Sequence, residues 1–329
     1  MSDVGQVDHA ALDAERSREQ AERAFHHETL FYAGEDEFLG GALPFVNGAL
    51  AAEEPLLVAV SDDRVRLLKE ALGGDAERVC FTDIHTVGGN PARLIPVWRE
   101  FLERQAADGR AARGISELIW SGRSAAELTE YHRHESLLNL AFGGGQAWRL
   151  LCPYDLGAVD EQIIEAAKCS HPFISEDGTR RVSEAYLQVR ESHGSFDGTL
   201  PHPRSEPLEL AFNHGELGSL RSSVARWASD APLGAERTEY LVLSVNELAT
   251  NSVRYGGGRG VLRMWREEDT LICEVHDRGR IDEPLVGRIA PSPDQLAGRG
   301  LWLVNQLCDL VQIRSTSTGN VVRLHLRLR

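Results

Sequence analysis

No run of about 18 apolar residues occurs in this 329-residue chain, so nothing in it reads as a membrane span. It does not open with a basic segment followed by an apolar core, so no secretory leader is expected. Cysteine is scarce. Cys80, Cys152, Cys169, Cys273 and Cys308 are scattered, odd in number and set mostly in apolar runs, with no pair at zinc spacing. That excludes a disulfide framework and points to reduced, buried thiols in a cytoplasmic protein. Positive charge is in deficit: 35 Lys and Arg stand against 50 Asp and Glu, a net charge of −15. A general nucleic-acid or anionic-membrane binder is therefore not expected. No G-x-x-x-x-G-K-[ST] run occurs, so P-loop chemistry is not implied. What remains is a globular balance, 42% hydrophobic and 26% charged, in a chain long enough for two domains.

The most informative stretch is Leu241 to Gly258, LVLSVNELATNSVRYGGG. Leu241, Val245, Leu248 and Ser252 recur at helical spacing, and a glycine run closes the helix. Glu247 and Asn251 are four apart and share a face. A neutral carboxamide oxygen is a hard ligand suited to Mg²⁺, and a carboxylate beside it can accept a proton from a hydroxyl. Taken alone, the pair also reads as a solvated polar face. A strand then runs from Leu271 to Asp277, followed by Gly279, which places a carboxylate at a strand end where the backbone can turn sharply. Such a carboxylate can accept from an exocyclic amine such as that of adenine. Further on, Gly298-Arg-Gly300-Leu-Trp opens a helix, and glycine-rich backbone at a helix N-terminus suits phosphate.

This order, E-x-x-x-N, then D-x-G, then G-x-G-L, resembles the N box and the two glycine boxes of the GHKL ATPase superfamily. Within it, the anti-sigma-factor serine/threonine kinases of Gram-positive bacteria are the most similar. The resemblance covers about Leu208 to Leu328. It implies an α+β ATPase domain of the Bergerat fold, with ATP and Mg²⁺ as cofactors. It further implies Glu247 as general base, Asn251 as Mg²⁺ ligand, Asp277 with Gly279 as adenine reader, and Gly298, Gly300 and Leu301 over the phosphates. Two departures stand out. Arg254-Tyr255 occupy the place where the family often has a histidine, and Arg280-Ile281 follow Gly279 without a second glycine.

The first half alternates short apolar strands with helices. Strands are expected at His26–Tyr32, Pro55–Val60, Arg78–Thr82, Ile115–Trp120 and Trp148–Cys152. Helices are expected at Glu37–Ala52 (weakened by Gly40, Gly41 and Pro44), Arg64–Leu72, Pro91–Ala107, Ala125–Phe142 and from Asp155 through Lys168. Ser61-Asp62-Asp63 reads as a helix cap. Such alternation implies a parallel sheet with helices on both faces. Phe31-Tyr32, Tyr131 to Asn139 (YHRHESLLN), Leu151 to Asp155 (LCPYD) and His171-Pro172 resemble the MEDS sensory domain. That domain is a degenerate relative of the RecA and circadian-clock ATPase core, and the match covers about residues 25 to 175. His132, His134 and Glu135 on one helix, with His171 elsewhere, read as a helix surface and a satisfied histidine rather than a metal site. Tyr154, Asp155, Glu135 and Asn139 could line a small-molecule signal site at the strand ends.

The expected organisation is a tail at 1–24, the sensory domain at 25–175, a linker at 176–205 with one helical stretch at Val182–Glu191, and the ATPase domain at 206–329. The last is expected to carry helices on one face of a mixed sheet. His214 directly follows a strand and is not set in a long helix pair, so the phospho-acceptor hairpin of a histidine kinase is not read here. What the resemblance implies is a cytoplasmic signalling regulator of transcription that phosphorylates Ser or Thr on a partner such as an anti-anti-sigma factor, or holds a sigma factor. Such a protein could pair as a homodimer. Two alternatives stay open: an ATP-gated scaffold without turnover, and a sensor histidine kinase-like ATPase lacking the hairpin.

Overall fold

The computed structural model describes residues 25–328 except 107–108, 121, 145–146, 177, 187–197 and 293–297. The tail expected at 1–24 and the second half of the helix expected at Val182–Glu191 lie outside the described residues. No helix among the described residues is long and apolar enough to cross a membrane. The chain divides into two compact units. The described residues within 1–83, 101–121 and 138–186 form one, and those within 84–100, 122–137 and 187–329 form the other.

The first unit is built on a seven-stranded sheet in the order β3-β2-β4-β5-β1-β6-β7. Its strands are β1 (Phe25–Tyr32), β2 (Leu56–Val60), β3 (Cys80–Asp83), β4 (Ala112–Ser116), β5 (Trp148–Asp155), β6 (Phe173–Glu176) and β7 (Thr179–Val182). Every ladder is parallel except β6 with β7. All five residues of β2, LLVAV, are buried, as a strand covered on both faces requires. Helix α1 (Gly34–Ala51) runs unbroken through Pro44, and its Gly41 lies so close to β1 that a Cβ there would stand 2.4 Å from a Leu30 methyl. The glycine that weakens the helix thus lets it seat on the sheet.

Several sequence expectations shift here. The strand expected at Ile115–Trp120 lies earlier, at β4, and the sheet continues past Ser175 through β6 and β7. Val182 ends β7 and residues 183–186 are not helical, so that part of the expected linker helix is a strand end and turn. Ser61 occupies the N-cap position of α2 (Asp62–Leu72) but makes no side-chain cap bond; its N–H instead donates to Glu117 Oε2 at 3.1 Å.

The other unit contains the five-stranded sheet β11-β12-β10-β9-β8. Its strands are β8 (Leu208–Asn213), β9 (Arg259–Glu267), β10 (Thr270–Asp277), β11 (Leu310–Thr316) and β12 (Gly319–Arg327). All four ladders are antiparallel, so the expected mixed sheet is corrected to an antiparallel one. Helices α3 (Ile84–Val87), α4 (Leu94–Gln105), α5 (Ala125–Phe142) and α6 (Glu161–Ser170) precede this sheet in the chain, and α7 (Leu217–Ser229), α8 (Ala235–Tyr255) and α9 (Arg299–Leu307) share one core with it. From α8 come Leu241, Val245, Leu248 and Ala249; from β10 and β12 come Leu271, Cys273, Val275, Val322, Leu324 and Leu326. Each large aliphatic side chain taken out of water there contributes about 1.5–3 kcal/mol, which holds α8 against the strands. On the sheet face turned away from this core, Glu274, Gln312, Arg314 and Arg323 are buried. Glu274 accepts from Arg323 Nε at 2.7 Å, and Arg314 pairs with Glu130 at 2.8 Å. Burial of charge on this face is sustained by pairing.

Candidate functional site

Helix α8 brings Leu248, Asn251 and Ser252 to the edge of a cavity of about 380 Å³. That size suits a small ligand, and an apolar wall with a few polar groups is the usual make-up of such sites. Val275 and Asp277 of β10, Ile281, and Gly298, Gly300 and Leu301 at the start of α9 complete most of the wall. Leu301 also belongs to the hydrophobic core, which anchors the first turn of α9. Gly298 is the N-cap of α9 in a left-handed conformation, φ 84°, where glycine is the natural residue.

Asp277 is held by three donors. Ser252 Oγ donates to Oδ2 at 2.6 Å, while Asn320 Nδ2 at 3.1 Å and the Gly279 N–H at 2.8 Å both donate to Oδ1. Asn320 is fixed in turn: its Oδ1 accepts from Ser315 Oγ at 2.7 Å, and that hydroxyl accepts from the Ile281 N–H at 2.9 Å. The backbone closes around the same carboxylate. A Cβ on Gly256 would stand 2.5 Å from Asp277 Cγ, and one on Gly279 would stand 2.9 Å from Asn320 Nδ2. Asp277 is therefore held in place by three hydrogen bonds and by close backbone at Gly256 and Gly279. A carboxylate oxygen has about two lone-pair sites, so Oδ1 is filled while Oδ2 keeps one for a ligand donor.

Glu247 and Gly279 are not on the cavity wall, but both touch residues that are. A Cβ on Gly300 would stand 2.8 Å from Glu247 Oε2 and 3.3 Å from Asn251 Nδ2. The start of α9 thus runs across the Glu247–Asn251 face of α8, close enough that a side chain at position 300 would have to push Glu247 aside. Glu247 and Asn251 are half-buried, and among the described residues no ion pair joins Glu247 to Arg254, which is exposed. Ile281 occupies the position that a D-x-G-x-G run would give to a second glycine, and it contributes an apolar wall.

Ser252, Gly256, Ser315 and Asn320 were not singled out from the sequence as site residues. Ser252 carried a signal, a hydroxyl on the buried stripe of α8. Asn320 and Ser315 carried none, because their roles depend on the β11–β12 hairpin. The segment after Gly279 is partly packed down: Asn305 Nδ2 of α9 donates to the Gly287 carbonyl at 2.9 Å, and Arg288 is buried. Three of the five thiols are buried as expected, Cys152, Cys273 and Cys308, whereas Cys80 is exposed and Cys169 half-buried. Burial pushes the Cys308 thiol up to about 12, so it is not a nucleophile.

In the first unit Asp155 pairs with Arg64 at 3.4 Å and accepts from the Gly157 N–H at 2.9 Å. Asn139 bonds to His27 and to the Ser170 carbonyl. These contacts make both residues parts of the local framework.

Residues 210–326 match the family described as the histidine kinase-like ATPase domain. Residues 26–172 match MEDS, the methanogen/methylotroph, DcmR sensory domain. The chain thus carries a MEDS region followed by a histidine kinase-like ATPase region. Among solved structures, the crystal structure of the RsbU and RsbW domains of Rv1364c from Mycobacterium tuberculosis is similar at 18% identity, with a TM-score of 0.30. That match covers 39% of this chain and 33% of the other. No curated protein matches the chain.

Proposed function

We propose that this chain is an ATP-binding signalling regulator, a serine/threonine protein kinase of the anti-sigma-factor type, with an ATP domain at 206–329 and a sensory domain at 25–175. The single observation that carries the reading is the approach of Gly300 to Glu247 and Asn251 beside the cavity that Asp277 borders. It supports reading the three sequence motifs as one site, inside a region matching an ATPase family.

The residues fit the nucleotide. The acceptor site left on Asp277 Oδ2 suits the exocyclic amine of adenine, and Ile281, Val275 and Leu301 offer apolar surface to the base. Gly298 and Gly300 leave backbone N–H groups of the first turn of α9 for phosphate oxygens. Asn251 would hold Mg²⁺ through its amide oxygen, and that ion would supply charge neutralisation on the phosphates. Glu247 would accept the proton of the partner's Ser or Thr hydroxyl as that oxygen bonds to the γ-phosphorus and the γ-phosphorus bond to the bridging oxygen breaks, releasing ADP. The partner class follows from the motif resemblance: an anti-anti-sigma factor as substrate, a sigma factor as the protein held, and a second copy of this chain as a dimer mate. The setting is cytoplasmic, with regulation of transcription as the output. Calorimetry of the full chain with Mg-ATP tests the reading. One-site binding is expected, and no heat at millimolar ATP would retire it.

A further inference from the structure

Outside the nucleotide site, the first unit buries a cluster of metal-capable side chains from three separate places in the sequence. His27 lies on β1, Cys152 on β5, and His171 follows helix α6 (Glu161–Ser170). Cys152 pairs in register with Thr29, so it lies on the same sheet face as His27. All three are at most 1% exposed, and their ligand atoms lie within 4.8 Å of one another.

The tautomers of both histidines follow from their partners. His171 Nδ1 is 2.8 Å from the Ala167 carbonyl, which can only accept, so Nδ1 carries the proton. His27 Nδ1 is 3.2 Å from Asn139 Oδ1. The orientation of that amide is set by its Nδ2, which donates to the Ser170 carbonyl at 2.7 Å, so Oδ1 accepts and His27 Nδ1 is also protonated. Both rings therefore hold their lone pair on Nε2. An Nδ1–H donated to a carbonyl oxygen, with Nε2 as the basic atom, is the arrangement that orients and strengthens metal-ligating histidines. Cys152 Sγ lies 3.3 Å from His27 Nε2, and the two imidazole centroids are 4.0 Å apart. Tetrahedral zinc with N at about 2.0 Å and S at about 2.3 Å sets its ligand atoms about 3.3–3.6 Å apart.

We propose that His27, Cys152 and His171 are ligands of a divalent transition-metal site, zinc in class, inside the sensory unit. At least these three protein ligands bind it, two imidazole Nε2 atoms and one thiolate, a borderline-soft set suited to zinc rather than Mg²⁺ or Ca²⁺. Binding displaces the thiol proton of Cys152 to solvent and leaves both imidazoles neutral. The site does not depend on the ATPase reading, because its residues all lie in the other unit.

The test uses the full chain, reduced and stripped with a chelator, then titrated with Co²⁺ and Zn²⁺. Wild type is expected to bind one Co²⁺ with a thiolate-to-cobalt charge-transfer band, which Zn²⁺ abolishes. Cys152→Ser should lose that band. Asn139→Ala, which removes the acceptor for His27 Nδ1–H together with the donor to the Ser170 carbonyl, should keep the band but weaken affinity about 10–100-fold. No band in wild type, or a band that survives in Cys152→Ser, overturns the proposal. X-ray absorption of zinc-loaded wild type decides without any variant: one sulfur with at least two nitrogens is expected, and the absence of sulfur refutes the site.

Discussion

Asp277→Asn tests the nucleotide reading at its most constrained atom. The substitution keeps the volume, so its effect depends on where the amide nitrogen goes. At the Oδ1 position it would face two donors, Asn320 Nδ2 and the Gly279 N–H. At the Oδ2 position it faces only the Ser252 hydroxyl, which can turn, because that hydroxyl also reaches the Leu248 carbonyl at 3.1 Å. The new N–H₂ therefore takes the Oδ2 position, and Ser252 accepts from it while donating to Leu248. Three charge-assisted bonds become neutral ones, which costs the fold about 1–2 kcal/mol. The ligand loses more. The acceptor site that adenine would use becomes a donor facing the exocyclic amine, leaving both groups unsatisfied. That costs about 2–4 kcal/mol, or about 30- to 1,000-fold in Kd. Calorimetry with Mg-ATP, beside a thermal melt, separates the two effects. A variant that binds ATP within threefold of wild type would refute the role of Oδ2 as the base-reading acceptor.

Gly300→Ala should split stability from binding. Alanine favours the helix by about 0.5–1 kcal/mol, so the melting temperature should hold or rise. The added methyl would stand 2.8 Å from Glu247 Oε2 and 3.3 Å from Asn251 Nδ2, and shifting Asn251, the proposed Mg²⁺ ligand, should lower Mg-ATP affinity at least tenfold. Equal affinity by calorimetry would separate Gly300 from the site. His325 gives a pH signature. Burial first, then Arg323, push its imidazole down to about 4, so the folded state keeps it neutral. Its contribution is present above the free value of about 6.5 and is lost as pH falls towards about 4, by about 1–3 kcal/mol after allowing for partial exposure. His325→Gln should flatten the acid limb of the melting profile over that window, and an unchanged slope would assign the loss elsewhere. Glu130→Ala should destabilise by about 3–5 kcal/mol, because Arg314 and Arg288 are then buried without their carboxylate. A denaturant melt within 1 kcal/mol of wild type, on the same scale, would show that the pairing is not needed.

What the sequence made legible was local. The span of α8 follows from the apolar spacing of Leu241, Val245 and Leu248 and from the glycines after Tyr255, two of which have positive φ. β2 could be read because a short unbroken apolar run bounded by polar residues marks a fully buried strand. The tolerance of Pro44 in α1 could not be read, since helix continuity there depends on packing against β1. The buried polar face of the antiparallel sheet was equally hidden, because alternation predicts which side chains turn away from the core and not what covers them. At the candidate site, the motif order pointed to Glu247, Asn251 and Asp277, but Asn320 joins Asp277 across 43 residues. His27 and Cys152 are 125 residues apart, and no spacing rule connects them.

The central claim is that Glu247 removes a proton during phosphoryl transfer from ATP. The most direct measurement is the rate of transfer from radiolabelled Mg-ATP to a partner captured from the host in an ATP-dependent pull-down, with wild type and Glu247→Ala compared at saturating ATP. The expected result is transfer by wild type and a loss of about 10²–10⁴-fold in the variant, with ATP affinity held within threefold. Equal rates in the two proteins would contradict the claim. So would an absence of transfer by wild type that still binds ATP.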